Sequence, residues 1–105
     1  MDRLQLLQEY YDQDPNDPFN LYGLALEYQK YNLKKSKELY DVLLGKFPEY
    51  LAAYYMTAKL CEELELEQDA IKIYEKGILV AQKQDNKKIE NELKVALTNL
   101  EMEML

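Results

Sequence analysis

A chain of 105 residues has the length of one domain and can bury an apolar core without disulfide bonds or a structural metal. Its net charge of −7 makes the surface repel phosphate groups, which argues against nucleic acid or an anionic membrane as partners. With 48% apolar residues, the composition is that of a folded protein rather than a disordered one. The three glycines and three prolines are few, which favours an all-α protein. The chain has no histidine, which excludes catalysis by that side chain.

The single cysteine, Cys61, cannot form an internal disulfide, so the chain does not resemble a secreted disulfide-rich scaffold. No apolar run reaches the ~20 residues that a transmembrane helix needs. The N-terminal stretch MDRLQLLQEYYDQ also lacks the apolar segment of a signal peptide. We therefore expect a cytoplasmic protein.

A short leading helix is predicted within residues 1–16. Leu4, Leu7 and Tyr11 share one face, and Pro15 ends the helix because proline cannot continue the hydrogen-bond ladder. Pro15 lies 33 residues before Pro48, which makes this segment similar to the second half of the helix pair that follows.

Residues 17–49 predict a first pair of helices. Asp17 and Pro18 form a strong start signal for a helix from about 18 to 31. A second helix, from about 34 to 46, is expected to end at Gly45 and Pro48. The predicted inward residues are Leu21, Leu24, Ala25 and Tyr28 on the first helix and Leu39, Tyr40, Leu43 and Leu44 on the second.

Residues 50–85 predict a second pair, with helices from about 50 to 63 and from about 67 to 84. The predicted inward residues are Tyr54, Ala58 and Cys61, then Ala70, Ile71, Tyr74, Ile78 and Ala81. Gln82 stands where the first pair has Pro48, so the last helix of this pair is expected to run on. Gly77 is predicted to mark a close approach between helices, where Gly77→Ala would be neutral or stabilising if room exists.

Residues 86–105 predict a final amphipathic helix that caps the domain. Its apolar stripe is Ile89, Leu93, Ala96, Leu97, Leu100 and Met104, while Lys87, Lys88, Glu90, Glu92 and Lys94 are expected to face water.

One pattern runs twice through residues 18–82, with a period of 33 to 34. The matched residues are Leu21, Ala25 and Tyr28 with Tyr54, Ala58 and Cys61, and Ser36, Tyr40 and Leu43 with Ala70, Tyr74 and Gly77. This pattern resembles the tetratricopeptide repeat. The resemblance implies an all-α, right-handed superhelical solenoid of helix-turn-helix units, with about six helices in a single domain over residues 1–105. It also implies a non-catalytic role in binding another protein.

The resemblance further implies where a partner binds, because the first helix of each pair lines a concave groove in this family. The residues at these positions are Phe19, Tyr22, Gly23, Leu26, Gln29 and Lys30, then Ala52, Tyr55, Met56, Lys59 and Glu62. Exposed aromatic, Met and Leu side chains are typical of peptide grooves, so we expect a peptide or helical segment of a partner in a largely apolar groove. Tyr22 and Tyr55 are expected to lie side by side as exposed anchors, with a small pocket at Gly23.

Two alternatives apply to these residues and to the function. The first alternative is that the predicted groove side chains pack under the leading or the final helix instead of lining a groove. The second is that the protein is a structural unit that self-assembles into a homo-oligomer. The second alternative follows from the small number of repeats and from the apolar residues near the C-terminus: Leu100, Met102, Met104 and Leu105. Some family members hold a peptide's terminal carboxylate with Lys, Asn and Arg; the matching positions here are Tyr22, Leu26 and Met56, which disfavours that mode.

No pattern in the sequence predicts catalysis, a metal or a cofactor. There is no glycine-rich phosphate loop and no nucleophile elbow, and Cys61 falls on an inward stripe with no histidine to activate it. The acids Glu62, Glu63, Glu65 and Glu67 are interpreted as a solvated turn. If they lie beside Lys34, Lys35 and Lys37, the two turns form weak ion pairs; the alternative is a charged edge that docks a partner.

Overall fold

The computed structural model describes residues 2–105, which form six α-helices and no strand. Their bounds are α1 Arg3–Gln13, α2 Pro18–Tyr28, α3 Leu33–Lys46, α4 Ala52–Glu63, α5 Glu67–Lys83 and α6 Lys87–Glu103. The predicted all-α class and the six helices are thereby confirmed. The chain divides into two compact units, the first ending at Ala53 and the second covering Tyr54–Leu105, and each is described by itself. The single domain over residues 1–105 stays a prediction.

In the first unit, α1 lies against α2. A capping box at its start joins the Asp2 carboxylate to the Gln5 amide. At its other end, the Asn20 side chain donates to the carbonyls of Tyr10 and Asp14. The predicted face of α1 is only half-buried, and none of its described side chains is fully buried.

The second helix begins as predicted but ends earlier. The Asp17 carboxylate accepts from the Phe19 amide, and Pro18 occupies the first turn. The end lies at Tyr28 rather than at residue 31, because the next amides bond three residues back instead of four. Leu21, Leu24 and Ala25 are buried as predicted, whereas Tyr28 is half-buried.

Glu27 is a buried carboxylate that the periodicity did not predict. Its Oε1 lies 3.1 Å from Arg3 Nε on α1 and 3.1 Å from Lys30 Nζ. A buried charge needs such partners, so the two cations account for its tolerance at this position. The contact with Arg3 also holds α1 against α2.

The third helix packs on α2 through the predicted residues Leu39, Tyr40, Leu43 and Leu44. Ser36 is buried as well, and its hydroxyl donates to the Ala25 carbonyl at 2.6 Å, which explains a small polar residue where the two helices approach. The predicted end of this helix near residue 46 is confirmed, but the role given to Gly45 in ending it is wrong. Gly45 lies inside α3, and Phe47 is the C-cap, with its amide donating to Leu43.

In the second unit, α4 buries Tyr54, Ala58 and Cys61 as predicted. The helix begins at Ala52, two residues later than expected. The next helix, α5, buries Ala70, Tyr74 and Ala81, while Ile71 and Ile78 are half-buried. It runs through Gln82 to Lys83, as the missing proline predicted.

Gly77 marks a close approach, as predicted, but it leaves no room for a side chain. A Cβ at this position would lie 2.7 Å from Tyr54 Cβ on α4 and 3.1 Å from Leu93 Cδ1 on α6. Tyr54 Cβ is fixed to the backbone and cannot swing away. The room that would make Gly77→Ala neutral or stabilising is therefore absent, because α4, α5 and α6 meet at this residue.

The last helix, α6, packs on α5 with Leu93, Ala96 and Leu100 buried. Ile89 and Leu97 are half-buried, whereas Met104 is exposed, so the apolar stripe ends at Leu100. Glu90 does not simply face water. It accepts from Gln82 Nε2 at 3.0 Å and pairs with Lys94 at 2.8 Å, and the bond from Lys94 lowers the pKa of its carboxyl.

Candidate partner-binding surface

A cluster of three tyrosines lies in the first unit, with Tyr22 on α2, Tyr40 on α3 and Tyr50 in the connection between α3 and α4. The Tyr22 ring is 6.1 Å from the Tyr40 ring and 5.4 Å from the Tyr50 ring, centroid to centroid, in tilted geometry. The Tyr40 hydroxyl donates to Gln29 Oε1 at 2.9 Å. Burial raises the pKa of Tyr22, Tyr40 and Tyr50 above 10.0, so the cluster is uncharged at neutral pH.

The second unit repeats this arrangement at equivalent positions. The Tyr55 ring lies 6.5 Å from the Tyr74 ring, edge to face. The Tyr74 hydroxyl donates to Glu62 Oε2 at 2.5 Å. Burial, and then this hydrogen bond to Glu62, raise the pKa of Tyr74. In both units, therefore, a tyrosine of the second helix contacts a tyrosine and a polar residue of the first.

Four of the predicted groove residues belong to these clusters. Tyr22 is half-buried between two rings, so the expectation of a freely exposed anchor is wrong for this residue. Gln29 and Glu62 accept hydrogen bonds from tyrosine hydroxyls. The repeat spacing of 33 and 34 residues could have predicted these two clusters, because positions 22, 29 and 40 recur at 55, 62 and 74.

The predicted residues on the rest of α2 differ in exposure. Phe19 is 69% exposed and Leu26 is also exposed. Lys30 is exposed and pairs with Glu27. Gly23 faces α1, since a Cβ there would lie 3.5 Å from Leu7 Cδ2. Whether these residues line a partner groove stays a prediction, as does the side-by-side placement of Tyr22 and Tyr55.

A groove of about 390 Å³ lies between α4 and α6 in the second unit. It is lined by Tyr55 and Lys59 from α4 and by Asn91, Glu92, Val95, Ala96 and Asn99 from α6. Of the predicted residues on α4, Tyr55 and Lys59 line the groove; Ala52 is exposed and Met56 half-buried. The volume is near the lower end of ordinary ligand pockets and suits a few residues of a partner chain.

The wall formed by α6 was missed by the sequence analysis, which treated this helix as a cap. Val95 is 59% exposed and interrupts the water-facing side of the helix with an apolar side chain. Asn91, Val95 and Asn99 recur every four residues and therefore share one face. That spacing was the sequence feature from which the α6 wall could have been predicted.

The polar groups of the groove differ in how they are satisfied. Lys59 Nζ lies 3.8 Å from Glu62 Oε2 and 5.9 Å from the centre of the Tyr55 ring. Within residues 2–105, Asn91, Glu92 and Asn99 make no side-chain hydrogen bond or ion pair. Two amides and one carboxylate on the α6 wall are therefore available to a ligand.

Two other classes of site were searched in the part of the chain that the structure describes. No group of three or more Cys, Asp and Glu side chains there is placed to hold a metal ion. None of the six helices is both long enough and apolar enough to cross a membrane.

Comparison with known proteins identifies the family. A tetratricopeptide repeat domain protein from Salinibacter ruber, solved in solution, is 38% identical to this chain, with a TM-score of 0.80. The match covers 84% of this chain and 90% of that one. The chain belongs to the tetratricopeptide repeat family. A crystal structure of a tetratricopeptide repeat domain protein from the same organism matches at 37% identity over 81% of this chain and 97% of that one, with a TM-score of 0.77.

A third solved structure shares the fold of this chain, and its similarity shows no more than that. A protein from Bordetella parapertussis matches with a TM-score of 0.84 over 98% of this chain and 90% of that one, at 19% identity. No protein-family model and no curated protein sequence matches the chain. The tetratricopeptide fold and the two matched helix pairs make the chain a repeat module of the kind that mediates protein interaction.

Proposed function

We propose that this tetratricopeptide repeat protein is a non-catalytic interaction module that binds a short peptide segment of a partner protein in the α4–α6 groove. The observation that carries the proposal is the lining of that groove. Exposed Tyr55 and Val95 offer apolar contact, and the free amides of Asn91 and Asn99 offer donors and acceptors for a peptide backbone.

The size of the groove favours a short segment over a long helix. An α-helix with its side chains is about 10–12 Å across and rises about 5.4 Å per turn, so less than one full turn would fill about 390 Å³. An extended segment places alternate side chains on opposite sides and leaves its backbone groups free. Those groups match the carboxamides on the α6 wall.

The test is to select binders from a random 12-residue peptide library displayed on phage and to measure their affinity by fluorescence anisotropy. Tyr55→Ala should weaken binding about 30-fold, which corresponds to the roughly 2 kcal/mol of an aromatic hot spot. Tyr31→Ala is the matched control, because Tyr31 is 66% exposed and lies outside the groove. Circular dichroism must show that both variants stay folded.

Equal losses in Tyr55→Ala and Tyr31→Ala, or no loss in Tyr55→Ala, would place the binding surface elsewhere. A library that yields no binder would count against peptide recognition itself.

Self-assembly is the second candidate, favoured by the exposure of Met102, Met104 and Leu105. Exposed apolar side chains close together in sequence are a common feature of contacts between copies. Light scattering over a hundredfold dilution distinguishes the two functions. A mass that falls with dilution supports self-assembly, and a constant monomer mass excludes it in that range.

A further inference from the structure

We propose that the peptide segment held in the α4–α6 groove carries a lysine or arginine that pairs with Glu92. This inference rests on the proposed function and adds the charge of the partner. It starts from the two charged residues that line the groove, Lys59 and Glu92.

These two charges are not equally available. Lys59 already lies 3.8 Å from Glu62 and over the Tyr55 ring. Glu92 has no cation within ion-pair distance among residues 2–105, and this includes Lys88, one helical turn before it. The charge in the groove that remains unmatched is therefore negative.

The surrounding sequence carries the same sign. Residues 54–105 hold eleven Asp and Glu against seven Lys. A negative field of this kind attracts a basic segment, raises its association rate and disfavours an acidic one. It is opposite in sign to a groove that holds a terminal carboxylate.

The spacing on α6 fits a short extended segment. Asn91 and Asn99 are eight residues apart, which is about 12 Å along a helix. An extended chain covers that distance in about four residues. Glu92 lies beside Asn91, so the basic residue of the ligand belongs at that end, with its methylene stem along Val95 and Ala96.

The experiment uses the full chain and the displayed 12-residue library. Peptides selected by the wild type should share a Lys or Arg at one position. Replacing that residue with Gln should raise Kd about three- to fivefold for the wild type, as expected for an ion pair at an exposed carboxylate. In Glu92→Gln the same replacement in the peptide should raise Kd by a factor at least about threefold smaller, because the ion pair with Glu92 is already absent. Binding by the wild type should also weaken as salt rises from roughly 50 to 500 mM, because the shorter Debye length screens the attraction between the two charges.

Glu101→Gln is the matched control, since Glu101 is an exposed acid on the same helix outside the groove. It should leave both affinities and the coupling unchanged. If the affinity of the selected peptides falls in Tyr55→Ala but the peptides share no basic residue, or show no coupling to Glu92, this inference is overturned while the proposed function stands. If Tyr55→Ala leaves the affinity of the selected peptides unchanged, or if no peptide binds, the proposed function is refuted and this inference with it.

Discussion

Replacing Gly77 by alanine places a methyl group at the point where α4, α5 and α6 meet. The new Cβ would lie 2.7 Å from Tyr54 Cβ, 3.0 Å from Tyr54 Cγ and 3.1 Å from Leu93 Cδ1. Such overpacking typically costs about 1–3 kcal/mol. Alanine regains about 0.8–1.0 kcal/mol of helix propensity over glycine. We therefore expect a net loss of roughly 0–2 kcal/mol, centred near 1.

Gly45 supplies a matched control within the same chain. It is exposed inside α3, and a Cβ there would meet nothing within 4 Å. Gly45→Ala should therefore stabilise the protein by about 0.4–1 kcal/mol. Thermal and urea unfolding followed by circular dichroism compare the two variants, with about 4–8 °C expected per kcal/mol. Equal stabilisation by both substitutions would refute the close approach at Gly77.

Three further predictions follow from burial. Cys61 is 1% exposed and should react slowly with a thiol reagent in the native protein but fast in urea; labelling at the unfolded rate without urea would contradict its burial. The phenols of Tyr40 and Tyr74 have pKa values raised above 10.0, so the unfolded chain ionises first as pH rises. The contribution of these two phenols to stability should be constant up to about pH 10 and fall above it, so the loss of stability above that pH should be less steep in Tyr40→Phe and Tyr74→Phe; an unchanged slope in both would argue against their burial. Truncation after Asn86 removes α6 with Leu93 and Leu100, each worth about 1.5–3 kcal/mol when buried. The shortened chain should lose its cooperative melt, and a sharp transition would show that α6 is not needed for folding.

The parts of the fold that periodicity determines were predictable from the sequence. Leu21, Leu24 and Ala25 recur at helical spacing, and the start at Asp17 and Pro18 depends only on local backbone chemistry. Helix ends were less predictable. The second helix, α2, was expected to reach about residue 31 but ends at Tyr28, because the next amides bond three residues back instead of four.

The candidate site was predictable on one side only. Tyr55 and Lys59 follow from the family positions, since their place on α4 is a property of one helix. The α6 wall depends on how α6 packs, and Asn91 and Asn99 carry no local signal of the helix they will face. Tyr22 was expected to be exposed because its own helix leaves it off the apolar stripe, whereas the Tyr40 and Tyr50 rings that cover it come from other segments.

The sequence by itself therefore determined the helices, their pairing in two repeats and the family, because these depend on spacings within and between neighbouring helices. Only the tertiary structure decided which surfaces remain open. The buried Glu27 carboxylate, the absence of space at Gly77 and the groove beside Val95 each arise where side chains distant in sequence meet. Close packing leaves or removes a volume at such points, and no single helix encodes that volume.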